Sequence, residues 1–198
     1  MKLIAGLGNT GPKYKNNRHN LGFILVDSFV KSQGLSWRYG ADFMCYWLKS
    51  NKFLVIKPTT YMNKSGASVK AVSGFYKIEI KNILVVHDDL DLDFGKIRLS
   101  FGGSGAGHKG VESVIESLGT PEFVRLRAGI GLPRLTRVEA GRSLPEATDG
   151  KPSDAEKYVL EDFTNEEQVK LAEIIQNCQE AIKSYLEFGI QATMNRFN

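Results

Sequence analysis

The sequence predicts an α/β fold in which a mixed, mostly parallel twisted sheet lies between helices, a three-layer sandwich. Three observations predict it. Apolar strand-like runs alternate with amphipathic helical stretches along the chain. One run, Asn82–His87 (NILVVH), is apolar almost throughout, as in a strand covered on both faces. The 198 residues, 42% hydrophobic and 24% charged, suit one domain over 1–198 with a sizeable core and argue against disorder.

In order, Lys2–Leu7 reads as a buried strand, followed by a loop to about His19. Leu21–Ser32 reads as a helix, with Leu21, Leu25 and Phe29 at helical spacing and Gly34 as its stop. Phe53–Lys57 is a strand ended by Pro58, and Ser65–Lys77 a helix with Val69, Val72 and Tyr76 on one face. After Asn82–His87, further strands are expected at Gly95–Ser100 and Phe123–Gly131, with a helix at Lys109–Leu118 between them. Leu132–Asp154 carries proline, glycine and charge without an apolar period and reads as a long exposed loop insertion, about 132–154. Thr164 and Glu167 form a capping box for a last helix, whose apolar stripe runs from Leu171 to Leu186 and which Gly189 is expected to end.

No apolar run reaches the ~18 residues that span a bilayer, and the N-terminus lacks signal-peptide features. Cys45 and Cys178 lie in apolar surroundings without disulfide or metal spacing, as in a reducing compartment. A cytoplasmic protein is expected. The net charge of +4 is a mild basic bias and a weak pointer to a polyanionic partner. The basic residues cluster in the opening loop (Lys13, Lys15, Arg18), around strands (Lys96, Arg98, Arg125, Arg127) and after a glycine-rich loop (Lys109).

Residues 6–11, GLGNTG, fit the glycine pattern of dinucleotide-binding loops. Their context does not fit. Such a loop opens a helix at once, whereas the next helix here begins only near His19. The acidic residue expected after a second strand is missing, because Asp27 falls inside a helix.

All three histidines, His19, His87 and His108, lie where elements end. In open α/β sheets, sites gather beyond the carboxyl ends of strands. Four segments are expected to converge there: 9–19, 58–63, 87–91 and 102–109. An imidazole takes a proton from water when a carboxylate holds its other nitrogen, and Asp88 and Asp89 are both candidates for that carboxylate. Asparagine amides can donate to an oxyanion. There is no G-x-S-x-G elbow and no H-E-x-x-H pair, which leaves a histidine-activated water as the attacking group. Plainer readings stand beside these. His19 suits a helix cap, Asn9 and Asn63 suit left-handed turns, and Asp88, Asp89, Asp91 and Asp93 suit a solvated acidic turn or a Mg²⁺ site. GGSGAGHKG suits a turn or an anion-binding nest.

Together, LIAGLGNTGPKYKNNRHNLGF, KPTTYMNKSG, ILVVHDDLDLDFGKIRLSFGGSGAGHKG and FVRLRAGIG resemble the bacterial peptidyl-tRNA hydrolase family, in order and across essentially the whole chain. The resemblance implies that family's fold and cleavage of the ester between a peptide and the 3′ end of tRNA, without metal or cofactor, by a monomer. It implies His19 as general base, Asp88 as its orienting carboxylate, and Asn9 and Asn63 at the peptide backbone and reacting carbonyl. Tyr14, Tyr61 and Met62 would line the cleft for the CCA end and peptide, and His108 with its glycine loop would close over it. Arg127, Lys96 and Arg98 would meet phosphates of the acceptor stem. Two positions depart from the pattern. Lys109 stands where the family usually has asparagine, and is expected either to contact the terminal phosphate or to lower hydrolysis. Ser100 stands where a basic residue is common; Arg134, Arg137 and Arg142 in the 132–154 loop are candidates to restore phosphate contacts. The alternative function is a non-catalytic RNA-binding relative on the same scaffold.

Overall fold

The computed structural model describes residues 1–131, 152 and 154–198. The expected loop, with Arg134, Arg137 and Arg142, therefore lies outside the described residues except for Pro152 and Asp154. Among the described residues, no helix is long and apolar enough to cross a membrane.

Seven strands form one sheet: β1 (Lys2–Gly6), β2 (Arg38–Gly40), β3 (Cys45–Lys49), β4 (Phe53–Pro58), β5 (Ile83–Asp93), β6 (Ile97–Phe101) and β7 (Val124–Gly131). Their order is β2-β3-β4-β1-β5-β7-β6. The central four are parallel, and the antiparallel strands β2, β3 and β6 lie at the edges. Helices α1 (Leu21–Ser32) and α5 (Asn165–Phe197) cover one face; α2 (Ser65–Phe75) and α3 (Lys109–Leu118) cover the other. A short helix, α4 (Ala155–Val159), precedes α5.

Strand parity divides the core. Ile4, Leu84, Val86, Leu126 and Ala128 pack under α1 and α5, while Leu3, Ala5, Ile83, Val85 and Phe123 pack under α2 and α3. Both sets are buried, which is why these strands lack polar alternation. The chain leaves β1 toward β4 by way of α1 and returns to β5, on the other side of β1, by way of α2. The carboxyl ends of β4, β1 and β5 therefore border a topological switch point, where such sheets open a crevice.

Three sequence expectations need correction. The Asn82–His87 strand continues to Asp93, because β7 pairs with it through Asp89 and again, after a register shift, at Asp93. Asp88 and Asp89 thus sit on a strand and not in a loop. The hairpin β3–β4 was not foreseen; CYWLK pairs with the longer FLVIKP strand across a turn in which the Ser50 hydroxyl accepts from Lys52 and Phe53 N–H. The last helix does not end at Gly189. The backbone breaks there (φ 81°) and resumes to Phe197, because Ile190, Met194 and Phe197 renew the stripe facing the core. The capping box is present: Thr164 N–H donates to Glu167 at 2.8 Å, and Glu167 N–H to the Thr164 hydroxyl at 3.2 Å.

Candidate active site

A cavity of about 650 Å³ opens at the switch point. Its wall takes residues from each of the four converging segments: Asn9 after β1, Met62 and Asn63 after β4, Asp88 on β5, and His108 and Lys109 at the start of α3. His19 joins them from a 3-10 turn (Arg18–Asn20) that leads into α1.

Gly22 sets the approach of that turn. A Cβ there would collide with the carbonyls of Val86 and Leu7, so only glycine lets the first turn of α1 rest on the ends of β5 and β1. The contact carries His19 over Asp88, whose parity on β5 matches Leu84 and Val86 on the α1 face. Asp89 has the opposite parity and faces Arg127 on β7, whose Nε donates to it at 2.5 Å.

Asp88 is buried between two imidazoles. His19 Nδ1 lies 3.0 and 3.2 Å from its two oxygens, and His108 Nε2 lies 2.9 Å from Oδ1. The tautomers follow from the remaining bonds. His108 caps α3, its Nδ1 accepting from the Gly110 and Val111 amides at 3.1 and 3.2 Å, so the His108 proton sits on Nε2 and is donated to Asp88. A carboxylate accepts only, so neutral His19 donates from Nδ1 and keeps its lone pair on Nε2.

Electrostatics reinforce this arrangement. Burial alone would raise the Asp88 pKa, but His19 and His108 hold it well below the ordinary carboxylate range by charge and hydrogen bonding. Burial alone would lower the His19 pKa; the Asp88 carboxylate reverses this and leaves it above the ordinary 6.5, while the Lys109 ammonium pulls it back. His87 packs edge-on against His108 with ring centroids 4.7 Å apart, and burial and His108 keep it well below the ordinary histidine range. It donates from Nδ1 to the Asp88 carbonyl at 2.6 Å and stays neutral.

His19, Asp88 and His108 bring three ligand-type atoms within 4.8 Å of one another, and among the described residues no other such group occurs. A metal at His108 Nε2 would need the proton moved to Nδ1, against the two backbone N–H groups that point there. The trio suits proton handling better than ligation. The acidic run Asp88–Asp93 is likewise no carboxylate cage: Asp88 holds histidines, and Asp89 accepts from Arg127 and from Asp91 N–H.

Asn9 is held at three points. Its N–H donates to Asn20 Oδ1 at 2.7 Å, its carbonyl accepts from Asn20 Nδ2 at 3.0 Å, and its Oδ1 accepts from Met62 N–H at 2.9 Å. With Oδ1 engaged, the end of the side chain left for a ligand is the Nδ2 donor. Asn63 is exposed on the cavity wall, and neither asparagine has a left-handed backbone. His19 does not cap α1 either; Asn20 occupies that position.

The other expected residues are placed less centrally. Tyr14 is half-buried under the Lys13 ammonium, 4.7 Å from its ring centroid, and Tyr61 is exposed; neither lines the cavity. Lys96 and Arg98 are exposed beyond it, with Arg98 paired in register to Arg127 on one face of the sheet. Lys109 lies on the cavity wall with its side chain largely exposed. It begins α3, where the helix dipole disfavours a cation, and its ammonium pairs with Glu156 of α4 at 2.7 Å. The sequence reading missed Asn20, which fixes Asn9, and α4, whose Glu156 and Val159, with Leu160 just after it, complete the wall. The asparagine was legible in RHN beside His19; five residues of helix after the 132–154 segment gave too short a period to read.

Comparison with known proteins places the chain. The family model described as peptidyl-tRNA hydrolase matches residues 3–198. A peptidyl-tRNA hydrolase from Thermodesulfovibrio yellowstonii is 39% identical over 202 residues, covering 100% of this chain and 99% of the relative. One from Campylobacter concisus is 40% identical over 197 residues, covering 100% and 96%. The crystal structure of peptidyl-tRNA hydrolase from Acinetobacter baumannii superposes with a TM-score of 0.85 at 31% identity, covering 100% of this chain and 94% of that one. With matches that run the length of the chain in both sequence and fold, the chain belongs to the peptidyl-tRNA hydrolase family.

Proposed function

We propose that this cavity hydrolyses the ester that joins a peptide, or an N-blocked amino acid, to the 3′ end of tRNA, freeing tRNA from stalled or aborted translation. The observation that carries the reading is the His19–Asp88 pair, with the His19 lone pair left on Nε2 in a cavity that also presents the Asn9 amide. His19 Nε2 accepts a proton from water as the water oxygen attacks the ester carbonyl. The tetrahedral oxyanion accepts hydrogen bonds from the amide N–H groups of Asn9 and Asn63. Collapse breaks the bond to the ribose 3′ oxygen, which takes the proton from the His19 imidazolium. The products are a peptide carboxylate and tRNA with a free 3′ hydroxyl.

Around this centre Met62, His108 and Lys109 form the inner cleft for the terminal adenosine and peptide, and Tyr14 and Tyr61 its outer approach. Lys96, Arg98 and Arg127 offer charge to acceptor-stem phosphates. The decisive assay incubates the protein with N-acetyl-aminoacyl-tRNA in EDTA and follows ester cleavage. Turnover is expected; intact tRNA binding without turnover would support a non-catalytic RNA binder.

Arg127→Ala should weaken tRNA binding and reduce the slope of log affinity against log salt by about one phosphate's worth, because Arg127 stays partly exposed while Asp89 holds it. Filter binding across a salt series measures this. Lys109→Asn removes the cation that lowers the His19 pKa, so the acid limb of kcat/KM should move to higher pH. A pH–rate profile of the variant beside the parent tests the direction.

A further inference from the structure

We propose that Arg18 is a positioning residue for this hydrolysis, fixing the turn that carries His19 against the segment that forms the α4 wall of the cavity. The inference rests on His19 being the general base.

Arg18 precedes His19 in the same 3-10 turn, yet its side chain points away from the cavity and is only 5% exposed. Each of its three guanidinium nitrogens donates to an acceptor. Nε and Nη2 donate to the two oxygens of Glu167 at 3.1 and 2.8 Å, a forked contact that lysine cannot make. Nη1 donates to the Tyr158 carbonyl at 3.2 Å and to Glu161 at 3.4 Å. The guanidinium carbon lies 4.1 Å from the centroid of the Tyr158 ring. These partners come from the end of α4, the corner after it and the first turn of α5, where Glu167 also closes the capping box.

The backbone repeats the junction. Arg18 N–H donates to the Glu161 carbonyl at 3.0 Å, Phe163 N–H to Asn16 at 3.3 Å, and Asn17 bridges to Asp162. Tyr158 carries the connection onward, its hydroxyl donating to the Ile130 carbonyl near the end of β7 at 2.8 Å. One buried cation therefore joins the base-bearing turn to the corner from which Val159 and Leu160 face the cavity. Asp88 sets the tautomer of His19. Arg18 sets where the backbone of that histidine stands relative to the opposite wall, and reacting groups lose rate steeply when displaced by an ångström.

A residue needed only for folding would lower the melting temperature and leave turnover by folded protein unchanged. A positioning residue lowers kcat. Arg18→Lys, assayed where circular dichroism shows it folded, is expected to lower kcat on N-acetyl-aminoacyl-tRNA by about tenfold to a hundredfold. KM should stay within about twofold, because Arg98 and Arg127 are untouched. In a His19→Ala background the same change should cost nothing further, since there is no base left to misplace. Glu167→Gln, which keeps shape and one acceptor, covers the case in which Arg18→Lys does not fold, and should lower kcat several-fold. Parental kcat in either folded variant, a loss confined to KM, or full additivity with His19→Ala overturns the proposal. Absence of hydrolysis by the unaltered protein overturns the proposed function with it, whereas hydrolysis undiminished by His19→Ala overturns only the assignment of the base and the positioning built on it.

Discussion

His19→Ala is expected to lower turnover of N-acetyl-aminoacyl-tRNA by about 10²–10⁴-fold, the usual worth of a general base, while tRNA affinity stays within about twofold. The two readouts separate because the half-buried imidazole rests on Asp88, apart from Lys96, Arg98 and Arg127, the cations proposed to meet tRNA. The pH profile tests the same assignment without removing the group. The base works neutral, so kcat/KM should fall as pH drops through the His19 pKa, which Asp88 holds above 6.5 against the effect of burial. Asp88→Asn should change two observables. Losing the carboxylate lowers the His19 pKa, so the acid limb moves to lower pH. The plateau rate falls as well, because an asparagine NH₂ at the Oδ2 position donates to His19 Nδ1 and favours the tautomer that carries its proton on Nε2, where the lone pair is needed. A plateau equal to the parent's would mean that the carboxylate neither orients nor activates the imidazole.

The sequence made the central strands, the helices beside them and the converging segments legible because hydrophobic period and glycine or proline stops are local signals. Choosing between Asp88 and Asp89 needed one further step that was also local. In ILVVHDD, Asp88 shares parity with Leu84 and Val86 and Asp89 with Val85 and His87, and once β5 is known to run past His87, parity alone sends Asp88 to the α1 face and Asp89 to Arg127. What hid this was the extension of β5, which depends on pairing with β7, about forty residues away in sequence. Lys109 was illegible for the same reason. Its partner Glu156 lies beyond the 132–154 segment, and no spacing rule links the two. Arg18 read as one more basic residue of a loop, because its carboxylate partners come from α5 and the corner before it. Only Gly189 misled a local rule: glycine broke the helix as expected, but the apolar face at Ile190, Met194 and Phe197 restarted it.

The largest effect after His19 is expected at Asn9, where two substitutions discriminate between two roles. Asn9→Ala removes both the acceptor that holds Met62 N–H and the Nδ2 donor in the cavity, and should cost about 10²–10³-fold in kcat, the worth of an oxyanion donor. That loss alone leaves open which half of the amide mattered. Asn9→Asp separates them. An aspartate oxygen can still accept from Met62 N–H, and the backbone of residue 9 can still pair with Asn20, so the wall keeps its shape. The donor, however, becomes a second acceptor carrying negative charge, placed where negative charge develops on the reacting carbonyl oxygen. If Asn9 acts as a donor, the aspartate variant should be slower than the alanine variant despite the smaller change in packing. If Asn9 only props Met62, the order reverses and aspartate should retain most of the activity. Single-turnover rates of the two variants at one pH, with melting curves to verify that both are folded, decide which half of the side chain the reaction uses.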